Sequence, residues 1–400
     1  MISGRRWLFV AGLASAWLPA RPAGAHQGSM TYLDAAVADD RSRIDLRLRM
    51  DVRDTAEPLD LPPEPTPADD HIVAHGADLL DYVLERIEVD TGDVDCATSR
   101  HPVSILVQKG SRFAQLEWTV TCPRPVDVLA IDYDLFFDLD PQHTCNLVVR
   151  HRGEPAIAPL QMDTPRFEWD LRGAPPGAFL PFVRSGIGHI VGGFDHLAFL
   201  LGLLLVAGIA LDPDRRSRPL PPAAGRPAWG AGANLRIRPV ASAIRYTALI
   251  ATSFTVAHSI TLAIAALGWM TLPSRLVESL VAVSIVWVAV DNLVRPEPGR
   301  RWLLTFGFGL IHGLAFASVL DKQLPPSDVA IPLLSFNLGV ELGQLAVILL
   351  VVPVLHLLAA RALGAGRYRA TVVSFGSAVI ALLGVVWFIE RAFALEILGL

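Results

Sequence analysis

From Phe179 onward, charged residues retreat into short clusters that separate six apolar runs, at about residues 182–211, 243–267, 276–294, 302–320, 331–358 and 371–389. Each is near the roughly 20 residues a helix needs to cross hydrocarbon. Within a bilayer every backbone N–H and C=O must be paired inside the chain, so runs of this length are expected to be helices. The reading is an all-α polytopic membrane domain of six transmembrane helices over residues 180–395. The first 170 residues are rich in charge and belong to a separate domain. The whole chain is 52% hydrophobic and 18% charged, too apolar for an ordinary soluble protein. No basic, aromatic-interleaved patch suggests nucleic acid, and no phosphate-cradling loop suggests a nucleotide.

The connections set the expected orientation. Arg215, Arg216, Arg218, Arg226, Arg236, Arg238 and Arg245 follow the first run, Arg295, Arg300 and Arg301 the third, and Arg361, Arg367 and Arg369 the fifth. The alternate connections hold only Arg275 and Lys322. Arginine-rich loops stay in the cytoplasm, which puts the preceding domain and the C-terminus on the outer side of a bacterial inner membrane. The N-terminus agrees. Arg5 and Arg6 precede an apolar stretch over residues 7–18 that ends at Ala23-Gly24-Ala25, as in a cleaved signal peptide spanning residues 1–25.

The exported, periplasmic domain is expected over residues 26–175. Ile44, Leu46, Leu48, Met50 and Val52 alternate with Asp45, Arg47, Arg49 and Asp51, the pattern of a half-buried strand. Similar runs at 103–120, 126–132 and 146–149 are separated by turn residues, so the expectation is a small β-sandwich-like fold. Cys96, Cys122 and Cys145 all fall here, where export permits a disulfide; one pair is bridged and one cysteine is left over, with the choice open. Cleavage before His26 would pair its amino group with its imidazole to chelate a metal, with His143 or the His71/His75 pair as further donors.

The membrane runs carry groups that hydrocarbon does not tolerate, each costing roughly 2.5–3.5 kcal/mol at mid-bilayer. His196, His258, His312 and Glu341 lie near the middle of four different runs, and Asp195 adjoins His196. Matching depth in separate helices points to one buried metal site. His189 precedes His196 by seven residues, about 10.5 Å along a straight helix. Both face one ion only if Gly192-Gly193 bends the helix; otherwise His189 is an entrance ligand. Thr255 and Ser259 flank His258 as candidates to fix its tautomer, while Asn337 and Gln344 share a stripe with Glu341.

The H-x5-D-H of His189, Asp195 and His196, with the Phe-Gly-x-x-His-Gly ending at His312-Gly313, resembles the HupE/UreJ membrane-protein family, in its longer branch with an exported domain. The resemblance implies nickel or cobalt permeation through the first-helix motif. Shorter nickel permeases resemble H-G-x-A-H-G-x-E, whereas this chain reads His312-Gly313-Leu314-Ala315-Phe316-Ala317-Ser318-Val319. The second histidine and the glutamate are replaced, which opens copper or zinc as alternative cargo. The function expected is a secondary permease, not an enzyme, with the metal ion as substrate, lipid around it and a periplasmic metal donor as a partner. The alternatives are an intramembrane zinc hydrolase, or a copper- or zinc-handling membrane protein with a periplasmic metal-binding domain.

Overall fold

The computed structural model describes residues 30–61, 66–108, 111–211, 235–267, 269–270, 272–295, 300–315 and 330–393. The expected signal peptide, His26, Arg215 to Arg226, residues 316–319 and Lys322 lie outside them. Contacts divide the chain into two compact units, one running to Pro175 apart from Ala156–Pro159, the other from Pro176 onward.

The first unit is β-rich. Its elements are β1 (Met30–Val37), β2 (Arg43–Asp51), α1 (Asp69–Ala74), α2 (Gly76–Leu84), β3 (Ile87–Asp90), β4 (Ala97–Arg100), β5 (Ser104–Gln108), β6 (Ser111–Thr121), β7 (Val128–Tyr133), β8 (Thr144–His151), β9 (Glu154–Leu160) and β10 (Arg166–Asp170). One sheet runs β4-β6-β2-β1-β8-β9 with β5 also on β6; a second runs β10-β7-β3. Period-two patterning explains β2. Ile44, Leu46, Leu48 and Met50 are fully or almost fully buried, while Arg43, Asp45 and Arg47 face outward. The run at 103–120 is a hairpin, β5 against β6. Side chains from the two sheets meet: Thr31 Oγ1 on β1 lies 2.5 Å from Tyr133 Oη on β7, and His151 on β8 packs edge-on against Trp169 on β10. Cys96 and Cys122 form the disulfide, and Cys145 is the buried free thiol.

The second unit is helical. It begins with α3 (Phe179–Gly192) and α4 (Phe194–Leu204), bent by 69° at the break between them. The first apolar run therefore departs from the single straight helix suggested by its length. Its end also departs, because Ile209–Leu211 (β11) pairs antiparallel with Leu235–Ile237 (β12). Then come α5 (Val240–Ala266), α6 (Ser274–Val294), α7 (Arg301–Ala315) and α8 (Ala330–Leu357). Two π-helical segments, Leu358–Leu363 and Arg369–Val373, flank α9 (Gly364–Tyr368) and lead to α10 (Ser374–Phe393). Gly364 takes φ +73°, a left-handed conformation that redirects the helical path at little cost only for glycine. Among the described residues, three helical stretches are long and apolar enough to cross a membrane: Val240–Ala266, Arg275–Val294 and the continuous run Ala330–Phe393. The bent pair of α3 and α4 makes a fourth if counted as one span.

Small residues set which helices meet. A Cβ on Gly186 or Gly339 would collide with the backbone of the facing helix, so α3 and α8 cross in direct backbone contact. Gly309 and Gly313 do the same between α7 and α5, against Phe254 and His258. In lipid, where apolar side chains gain little from leaving the solvent, such close approach supplies the packing energy. Leu200, Leu204, Ala251, Ile348 and Val352 form a buried cluster from α4, α5 and α8. Leu249, Val256, Leu334 and Leu350 point outward.

Candidate metal site

The break at Gly193 brings the two histidines of the first motif together. Gly193 has φ −76° and ψ 101°, so the carbonyl ladder stops and α4 starts in a new direction. The His189 and His196 rings end 4.5 Å apart between centroids, much closer than a straight helix permits. The bend, one of the two arrangements open in the sequence, is the one adopted. Asp195 sits in the first turn of α4, where an acid suits the positive end of the helix. Its Oδ1 accepts from the backbone N–H of His196 at 2.8 Å and from the His196 ring Nδ1–H at 2.9 Å.

Two further imidazoles arrive on the glycine-packed pair α5 and α7. His258 and His312 are 0% and 1% exposed, and their ring centroids lie 6.4 Å and 5.2 Å from that of His196. Candidate ligand atoms of His189, His196 and His258 all fall within 4.8 Å of one another, and so do those of Asp195, His196 and His312. His196 belongs to both groups. Phe254 packs against His196, His258 and His312 and walls the cluster with apolar surface.

The hydrogen bonds fix which ring nitrogen faces the cluster. Asn337 Nδ2 donates to the Leu333 carbonyl, so its Oδ1 accepts from His258 Nδ1–H at 3.3 Å. Ser284 Oγ donates to the Val281 carbonyl at 2.6 Å and therefore accepts from His312 Nε2–H at 2.9 Å. With His196 Nδ1–H given to Asp195, the remaining nitrogens carry lone pairs: His196 Nε2, His258 Nε2 and His312 Nδ1. All three are buried and have no hydrogen-bond partner among the described residues. A buried acceptor without a donor is costly, and these three fall in two overlapping ligand groups that share His196, an arrangement that a cation satisfies. A backing acceptor on the far nitrogen is the usual partner of a metal-ligating histidine.

The other expected site residues are placed differently. Neither the Thr255 nor the Ser259 hydroxyl bonds the His258 ring. Each hydroxyl bonds the carbonyl four residues back, as serine and threonine do inside helices, and Thr255 also donates to Gln344 Oε1 at 3.1 Å. Asn337 takes the role expected of them. Glu341 is in neither group: its Oε1 accepts from Thr252 Oγ1 at 2.6 Å, and its Oε2 is buried without a hydrogen-bond partner among the described residues. In the first unit His143 is fully buried, with Nε2 2.8 Å from Tyr133 Oη, and burial pushes its pKa down to about 3. His71 on α1 and His75 at its C-cap have ring centroids 4.2 Å apart with the rings tilted by 31°, and His75 Nδ1–H is directed at the His71 carbonyl.

Sequence reasoning missed Ser284 and Arg301. Ser284 is a lone hydroxyl in the apolar middle of α6, a signal easily passed over among the other small residues. Arg301 appeared only as a loop cation, yet it is 5% exposed, bonds Asn292 Oδ1 and lies 3.7 Å from Asp291.

No curated protein matches the chain. The profile of the HupE / UreJ protein family matches residues 167–391, which takes in every residue of both ligand groups. Since the match spans more than half of the 400 residues, the chain belongs to the HupE/UreJ family.

Proposed function

We propose that the helical unit is a secondary permease for a divalent transition metal, with His189, Asp195, His196, His258 and His312 as the ligands that replace the ion's hydration shell. The HupE/UreJ family consists of membrane proteins associated with nickel and cobalt transport. The observation that carries the reading is the pair of ligand groups overlapping at His196, in which three buried imidazole nitrogens lack a hydrogen-bond partner among the described residues and each ring is backed by an acceptor on the opposite nitrogen. Four imidazoles and one carboxylate form a nitrogen-rich, thiol-free set suited to nickel or cobalt, with copper or zinc as competitors. In α4 the metal would also meet the start of a helix inside a broken span, the geometry from which many transporters build central sites.

In this reading the bent pair α3 and α4, then α5, α6, α7, α8 and α10, are six spans, with the arginine loops inside. The β-rich unit is then periplasmic, and its cross-sheet contacts at Thr31–Tyr133 and His151–Trp169 fit a sandwich. It would receive metal from a periplasmic donor and pass it to the membrane site. The test is nickel uptake by cells carrying His196→Ala or His312→Ala, with protein levels matched. Both variants are expected to abolish accumulation, and normal uptake by both would refute the proposal. A zinc hydrolase would instead keep one zinc through purification and turn over a lipid or peptide.

A further inference from the structure

Glu341 is the one ionisable group in the middle of α8, and the histidine groups do not include it. Three polar pairs join α5 and α8: His258 with Asn337, Thr252 with Glu341 and Thr255 with Gln344. The first of these holds a proposed ligand; the other two continue away from it. Glu341 lies one turn, about 6 Å, beyond Asn337, and Thr252 about 9 Å before His258. With the arginine loops inside, α5 runs outward and α8 inward, so both displacements lead from the histidines toward the cytoplasm.

The Glu341 side chain is half-buried and reaches from α8 to the exposed Thr252 on α5. Oε1 takes the Thr252 hydroxyl, while Oε2 is buried with no donor among the described residues. A carboxylate with one oxygen orphaned at this depth is expensive unless it meets a cation. Oxygen donors here differ from the nitrogen donors of the histidine cluster: a carboxylate, a hydroxyl and the nearby Gln344 amide favour a partly hydrated ion. We infer that Glu341, with Thr252, forms a second and weaker station for the same divalent metal, on the cytoplasmic side of the histidine cluster, which receives the ion as it leaves the imidazoles.

This rests on the permease reading for its role in transport, but the station itself is testable by binding alone. Nickel(II) is titrated calorimetrically into the full-length detergent-purified protein. Wild type is expected to bind two ions per chain, one tightly and one at least tenfold more weakly. Glu341→Gln, which keeps the shape and the Thr252 contact, should lose only the weak site, and Glu341→Asp should retain part of it; His196→Ala should lose the tight site. In proteoliposomes Glu341→Gln should lower maximal nickel flux at least tenfold with little change in KM. A single site in wild type, an intact weak site in Glu341→Gln, or loss of the tight site in that variant would overturn the inference. Two sites without flux in wild type would instead refute transport and leave the station standing.

Discussion

Replacing Gly193 by alanine tests whether the break in the first span builds the site. At φ −76° and ψ 101° the backbone is in a region open to any residue, so alanine adds no conformational strain. It adds crowding. A Cβ there would sit 2.6 Å from the His189 carbonyl oxygen, 3.1 Å from His196 Nδ1 and 3.2 Å from Asp195 Oδ1. Carbon–oxygen contacts rarely fall below about 3 Å, so the turn must open by about 0.4 Å or more, comparable to the roughly 0.5 Å tolerance of a preorganised site. The atom displaced most is the carbonyl oxygen of His189, itself a ligand residue, and the crowded Nδ1 and Oδ1 are the pair that holds the His196 ring. Nickel affinity is expected to fall ten- to a hundredfold, or about 1.4–2.7 kcal/mol, with the helical circular dichroism unchanged. Gly188, on the same helix, has nothing within 4 Å of its would-be Cβ. Gly188→Ala should therefore bind nickel as wild type does, and gain up to about 1 kcal/mol in helix propensity. Calorimetric titration of both full-length variants decides. If Gly193→Ala binds within twofold of wild type, the break does not set the ligand geometry and the reasoning fails.

Four further outcomes follow from the same contacts. Ser284→Ala removes the acceptor for His312 Nε2–H and should cost ten- to a hundredfold in nickel affinity by titration, about the usual effect of losing such a backing group. Gly186→Val should push α3 away from α8 and withdraw His189 alone, so binding weakens about tenfold, near 1.4 kcal/mol; complete loss would contradict two overlapping ligand groups. Cys96→Ser with Cys122→Ser opens a loop whose ends are 26 residues apart, which should destabilise the β-rich unit by about 3.5 kcal/mol in a denaturant melt without changing nickel binding. For pH, burial pushes His143 down to about 3 and Asp54 up to about 7. As pH falls below about 6.5 the unfolded histidine gains a proton that the native one refuses, lowering stability by about 1.4 kcal/mol per unit; between about 7 and 4 native Asp54 gains a proton that the unfolded one refuses, which raises it. The slopes oppose, so Asp54→Asn should melt at steadily lower temperature from pH 6.5 to 4 while wild type stays nearly level.

The chain's order could be read where a pattern reports directly on burial. The alternation from Ile44 to Met50 gave β2 within a residue or two, because one face of a strand must hide from water and the other need not. The common depth of His196, His258 and His312 likewise survived as proximity, since mid-bilayer polar groups have few ways to be satisfied except by meeting. Partner choice was much less readable. Thr255 and Ser259 surround His258 in sequence, but a helical hydroxyl finds its own i−4 carbonyl before a neighbouring ring, and the bond to His258 comes from Asn337 on another helix. Ser284 could not be paired with His312 without knowing that α6 packs on α7. The disulfide was open for the same reason. Only the hydrogen-bonded register of β4 against β6 places the strand that follows Cys96 beside the one that precedes Cys122.

The broken span divides the ligands between two packing environments, which bears on how a site made of rigid helices could move its cargo. His189 rides on α3, and α3 is locked to α8 through Gly186 and Gly339. Asp195 and His196 ride on α4, which packs on α6, and Gly202 of α4 lies directly against Val288 of that helix. The backbone between the two pieces is a single extended residue, Gly193, whose N–H closes α3 on the His189 carbonyl and whose carbonyl opens α4 by accepting from Leu197 N–H. A small rotation of the α3–α8 pair relative to α4 and α6 would therefore separate His189 from His196 and leave Asp195, His196 and His312 as they are. The same residue that lets His189 and His196 face one ion is thus also the point at which they can part.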